Sequence, residues 1–418
     1  MTTSTIYDIY LHKTQSKSRH PLLLAFSVFS NGRKLLHVSK NSREQIQTFH
    51  GLRVLSMMWI IAGHGFVMLQ TSNVTNVDDR DNWTNHMKAV YITAGPLAVD
   101  TFFFISGFLL AFHYFKQKTR TLKAQVLSIP HMFLHRYLRL TPAVLMIYLV
   151  TISIFKHLGS GPVWNTGEEY FAEPCRKYWW SFFLYIQNYY NYDDLFVSQS
   201  LIFYLNTYYD THSRFINYYI GVALAIFMRE KKDKPFLYMV KNQHLSIANL
   251  IIWIVMLLGM LTIVLCYQEV QMNHGYESQS VFYSLMRPAW CIGLSWIVYS
   301  CYHGYGGVVN WILTGPTMQV MGRLTYCMYL THVSVMAYIV FTPRDRIYFS
   351  DYNEFYFWCG HFIVSAIVSI FWTLAFESPL LIIEKFLLGS GNKTSNQSQV
   401  SEPQNGNKST EMKKANVY

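Results

Sequence analysis

Eight long apolar runs dominate the 418-residue sequence. They are Leu52–Leu69, Gly95–Tyr114, Leu140–Phe155, Phe215–Met228, Leu250–Tyr267, Val281–Cys301, Leu324–Phe341 and Phe357–Phe376. A bilayer core about 30 Å thick takes about 20 apolar residues of helix to cross. Lipid offers no hydrogen bonds, so each backbone N–H and C=O must be satisfied within the protein. Helices do this alone, whereas a β-barrel would show alternating segments of about ten residues. The runs predict an all-α, polytopic integral membrane bundle of about eight transmembrane helices. Phe215–Met228 is the shortest run. Composition agrees: 14% of residues are charged, against about a quarter in soluble domains. Aromatic residues reach 17%. The Tyr- and Trp-rich "YWWSFFLYIQNYY" from Tyr178 to Tyr190 suits an interfacial or buried segment.

Charge predicts orientation. Lys34, Lys40 and Arg43 precede the first run. Lys116, Lys118, Arg120 and Lys123 follow the second, and Lys231, Lys232, Lys234 and Lys241 follow the fourth. If every run crosses, these loops share one side, which the positive-inside rule makes the cytoplasm. The net charge of +11 then reads as topology signal facing anionic lipid, not as a nucleic-acid surface. Sequons at Asn73 and Asn82 fall in the first opposite loop. Both termini are expected to be cytoplasmic, in the endoplasmic reticulum or plasma membrane. The expected organisation is a juxtamembrane segment over 1–50, a membrane domain over 51–388 and a disordered polar tail over 389–418. Three more sequons, at Asn392, Asn396 and Asn407, lie in that tail. Six cysteines without paired spacing predict neither a disulfide scaffold nor a metal site.

Ionisable residues inside the runs are costly and mark candidate functional groups. Arg53 and His64, in "RVLSMMWIIAGH", are eleven residues apart. At about 100° per residue they share one helix face, roughly 16 Å apart along the axis. A neutral imidazole at that depth can act as a general base, or simply be hydrogen-bonded within the bundle. Gly63 and Gly65 flank it and allow close approach by a helix or a ligand. Asp100 lies at similar depth and is a candidate to orient His64, or else half of a structural ion pair. Arg136 and Arg139, three apart, suit phosphate or a lipid headgroup. Arg287, His332 and Glu377 are further candidates to line a polar cavity. His113 and His361 stand near run ends and read as interfacial.

The stretches "FSVFSNGRKLL", "GLRVLSMMWIIAGHGF", "VDTFFFISGFLLAF", "HRYLRLTPA", "GPTMQVMGRLTYCMYLTH" and "FESP", in this order, resemble the acyltransferase type 3 family. More narrowly, they look like its animal branch, the "nose resistant to fluoxetine" proteins. Arg53, ten residues, then His64 matches the family's most specific motif. The resemblance covers about Phe26 to Leu388. It implies a membrane-bound acyltransferase, for groups other than aminoacyl groups, with no bound cofactor. Acyl-CoA would be the donor substrate and an unidentified hydroxyl compound the acceptor. By the same resemblance His64 would be the essential catalytic group, as base or as acyl carrier. Arg53, Arg136 and Arg139 would meet the CoA phosphates. The branch usually opens with a Cys-containing external domain and an extra span, and neither is seen in this sequence. The family also carries a "His-Thr-Trp-Tyr-Leu"-like stretch, with an Asp, that opens a further pair of spans. This chain passes from "NYDDLFVSQS" directly to "LIFYLNTYYDTHSRF", so a core of about ten spans is expected to be incomplete near Ser200. The resemblance would also leave Cys175 without its disulfide partner, unless Cys266 or Cys359 replaces it. Membrane lipids are expected partners. The alternative is a non-catalytic protein that binds or moves lipid or small amphiphiles, or an inactive shortened form.

Overall fold

The computed structural model describes residues 1–15, 20–39, 46–115, 122–186, 214–230, 243–273 and 276–387. The expected gap at Ser200, the tail over 389–418 with its three sequons, and the basic loop residues Lys40, Arg43, Lys116, Lys118, Arg120, Lys231, Lys232, Lys234 and Lys241 lie outside them. The described residues form helices and one isolated bridge, with no strand. The helices that position the site and its frame are, in chain order, α1 (Thr2–Lys13), α2 (Val28–Leu36), α3 (Thr48–Thr71), α4 (Val77–Trp83), α5 (Pro96–Tyr114), α6 (Leu122–Leu149) and α7 (Trp164–Lys177). Then follow α8 (Phe215–Glu230), α9 (Gln243–Asn273), α10 (Tyr276–Tyr302), α11 (Pro316–Phe341), α12 (Asp351–Trp372) and α13 (Ser378–Leu387). Local chemistry sets several starts. Pro96 and Pro316 occupy first helical positions, where the missing N–H costs nothing. Ser350 caps α12 by accepting from Asn353 N at 3.2 Å.

Among the described residues, seven helices are long and apolar enough to cross a bilayer, one fewer than the eight expected runs. The exception is α8, whose 16 residues reach only about 24 Å. Connectivity nevertheless makes it a crossing. His50, near the start of α3, lies against Gly322, near the start of α11. Beyond the other ends, Val74 and Ile347 pair as a parallel bridge. So α3 and α11 run the same way. Four long apolar spans separate them in the chain, carried by α5, α6, α9 and α10; four crossings alone would reverse α11. The short α8 supplies the fifth. It lies parallel to α5, from Asp100 beside Arg214 at one end to Phe112 beneath the Arg229 guanidinium at the other. Glycine permits this contact: a Cβ at Gly107 or Gly221 would collide with the facing backbone, at Tyr218 O and Phe104 O respectively.

At the end of the bundle that carries Arg53, the N-terminal segment is clipped to α11. The Arg323 guanidinium donates to Leu35 O and His37 O, and to Lys34 O at 3.3 Å, so it satisfies carbonyls left open where α2 ends. Gln319 Oε1 accepts from Ser39 N at 3.0 Å. At the opposite end, Phe66 stacks on Trp83 and Phe349 meets both edge-on, and Lys88 bridges to Asp351 at 2.8 Å.

Candidate active site

Helices α3, α11 and α12 pack together and bring two of the expected histidines into contact. His64 Nδ1 lies 2.8 Å from His332 Nε2, and the rings are nearly parallel, with 5.0 Å between centroids. His332 is buried and His64 partly exposed. The network assigns the tautomers. His332 Nδ1 lies 2.7 Å from Tyr329 O. A carbonyl oxygen only accepts, so that nitrogen carries the proton and His332 Nε2 holds a lone pair. His64 Nδ1–H therefore donates to His332, and His64 Nε2 keeps a free lone pair. Among the described residues nothing bonds to it. A Cβ built on neighbouring Gly63 would meet nothing within 4 Å.

The Arg53 end holds the second cluster. Arg139 lies within electrostatic reach of both Arg53 and Glu377. Glu377 Oε2 accepts from Cys327 Sγ at 3.0 Å. A π-helical turn over Thr373–Glu377, a feature frequent at functional sites, presents that carboxylate. Among the described residues neither Arg53 nor Arg139 donates a hydrogen bond. Two neighbouring guanidiniums with open donors are chemically suited to an anion. Arg136, although three residues from Arg139, points elsewhere: Nη1 donates to Ser106 Oγ at 3.3 Å.

The expected partnership of Asp100 with His64 does not form. Asp100, fully buried, instead binds Arg214 Nη1 at 2.9 Å and faces Arg287 Nε at 3.8 Å. An intramembrane carboxylate takes the strongest cation it can reach, and α8 and α10 deliver two. Arg287 thus belongs to this ion cluster and not to the imidazole pair. Arg214 was not expected in the site; its sequence signal was a lone cation at the end away from the basic loops. A second correction concerns His361. It is not interfacial: it is 1% exposed, and a Cβ at Gly65 would stand 3.6 Å from its Nδ1. His113 is exposed. Cys175, Cys266 and Cys359 are all free thiols, so neither expected replacement pairs with Cys175. Both sequon asparagines, Asn73 and Asn82, are exposed.

Residues 46–228 match the profile of acyltransferase family 3, described as an acyltransferase domain. The Caenorhabditis elegans protein "Nose resistant to fluoxetine protein 6" is 25% identical over 491 aligned residues, covering 93% of this chain and 58% of the relative. The chain thus spans 58% of the curated relative it matches. The aligned length exceeds the 418 residues of this chain, so the relative carries internal residues that have no counterpart here. No solved structure matches the chain. Residues 46–228 are therefore similar to the acyltransferase type 3 domain, within a multi-pass membrane protein similar over most of its length to a nose resistant to fluoxetine protein.

Proposed function

We propose that the chain transfers an acyl group from acyl-CoA to a hydroxyl acceptor, with His64 as general base. The observation that carries this is the His64–His332 hydrogen bond, which frees His64 Nε2 to take a proton. The acceptor O–H gives its proton to Nε2, and the oxygen attacks the thioester carbonyl. The C–S bond breaks, and the imidazolium returns the proton to the CoA thiolate. His332 holds the tautomer and orientation of His64, a positioning role. Arg53 and Arg139 would bind the CoA phosphates, while Arg136 is turned to Ser106. Asp100 acts through the fold, by anchoring α5 to α8 and α10.

Transfer of labelled acyl-CoA in membranes carrying the chain tests this. His64→Ala is expected to lower transfer about 10²- to 10⁴-fold. His332→Ala is expected to lower kcat and shift its pH profile, with the acyl-CoA KM kept. Equal transfer by wild type and His64→Ala would refute the base assignment. A second reading, an inactive shortened form or a non-catalytic lipid or amphiphile carrier, is favoured by the relative's extra internal residues. Failure of the wild type to transfer label would support it.

The proposal places the Arg53 end and both termini in the cytoplasm, in the endoplasmic reticulum or plasma membrane, with Asn73 and Asn82 on the other side. A mobility shift on glycosidase treatment, lost in an Asn73→Gln/Asn82→Gln variant, is the expected result.

A further inference from the structure

Helix α12 carries a polar stripe that the reaction above leaves unused. Glu354, His361 and Ser365 are spaced by seven and four residues, which keeps them on one face. They are 3%, 1% and 0% exposed. Among the described residues, Glu354 Oε2, both ring nitrogens of His361 and Ser365 Oγ have no hydrogen-bond partner. Each buried polar group left unpaired costs about 1–3 kcal/mol, so a stripe of four such atoms calls for something to bond. Trp358 of the same helix does find a protein partner, donating to Met58 O at 3.0 Å.

The stripe leads to the imidazole pair. His361 faces Gly65, the neighbour of His64, and lies within electrostatic reach of His332. Glu354, in the first turn of α12, lies at the end away from Arg53. The 22 residues of α12 include no Lys or Arg. On α12 itself the approach to His64 carries a buried carboxylate and no cation, while Lys88, Arg344 and Arg346 stand at the same end of the bundle. Glu354 and His361 are separated by about 10 Å of helix, a length that suits a polyol or amino-alcohol head.

We infer that Glu354, His361 and Ser365 form the binding site for the hydroxyl acceptor, and that it takes a neutral or cationic hydroxylated molecule in preference to an anionic one. This rests on the acyltransferase reading above. Donors of the acceptor head bind Glu354 Oε2, further hydroxyls bind His361 and Ser365, and one hydroxyl is left facing His64 Nε2.

The test uses the full chain in membranes with labelled acyl-CoA and three acceptor probes: sphingosine (cationic), monooleoylglycerol (neutral) and lysophosphatidate (anionic). Transfer to at least one of the first two is expected, at least tenfold faster than to lysophosphatidate. Glu354→Gln is expected to raise the KM of the better probe about tenfold, as for one lost charge-assisted bond, with the acyl-CoA KM within twofold of wild type. His361→Gln should raise the acceptor KM similarly, and Ser365→Ala by less. Preferred transfer to lysophosphatidate would overturn the inference. So would variants that alter acyl-CoA KM or kcat and leave the acceptor KM unchanged, or a chain that binds acyl-CoA and acylates none of the probes. A chain that binds no acyl-CoA would instead overturn the acyltransferase reading itself.

Discussion

Helices α3 and α11 bury 61% and 56% of their most apolar stretches inside the bundle, whereas those of α6 and α9 are 17% buried. On α9, Leu250, Val255, Leu258 and Leu261 are all exposed. The same helix carries no Arg, Lys or Asp in its 31 residues. The buried pair, by contrast, carries Arg53, His64, Arg323 and His332. In lipid the outside of a bundle is as apolar as its inside, so hydrophobicity does not drive helices together. Polar contacts and close packing select the interior, and α9, without Arg, Lys or Asp, is left to face lipid.

Substitutions in the two regions put numbers on this contrast. Asp100→Ala should have the largest effect. Removing one partner of a buried ion cluster costs about 3–5 kcal/mol, read as loss of the folded, monodisperse fraction on heating in detergent. Leu324→Ala, in the α11 interior, should cost about 2–5 kcal/mol by cavity formation. Gly221→Ala should cost about 1–3 kcal/mol by overpacking, because its Cβ meets the backbone of α5. Leu258→Ala, on lipid-facing α9, should change stability by no more than about 0.5 kcal/mol. Comparable Tm losses for Leu324→Ala and Leu258→Ala would erase the distinction between the two regions. The smallest effect concerns Cys175, outside the spans. Burial pushes its thiol above the usual value, so the protonated form persists as pH rises. Iodoacetamide should label it later in a pH series than a peptide thiol; equal labelling would show that α7 leaves it open.

Apolar period and charge count were enough to read the bundle, because the length of lipid that must be crossed is fixed. They also marked His64 and His332 as intramembrane groups. Which groups meet was not legible. Asp100 had two candidate fates, and the choice depended on Arg214, which enters only because α8 lies parallel to α5. His361 read as interfacial because it stands near the start of a long apolar run. Its burial comes from helix packing around Gly65, a contact between residues far apart in the chain. Length likewise understated α8, which counts as a crossing only once the directions of α3 and α11 are known.

The two imidazoles that touch are 268 residues apart in the chain, and the matched domain over 46–228 contains only one of them. His332 and Glu377 come from the part beyond it, which folds back alongside α3 in the same direction. On the proposed reading, the matched segment thus holds only half of the site. Expressed alone it should be inert, and co-expression with a second polypeptide beginning between α8 and α9 should restore whatever the intact chain can do.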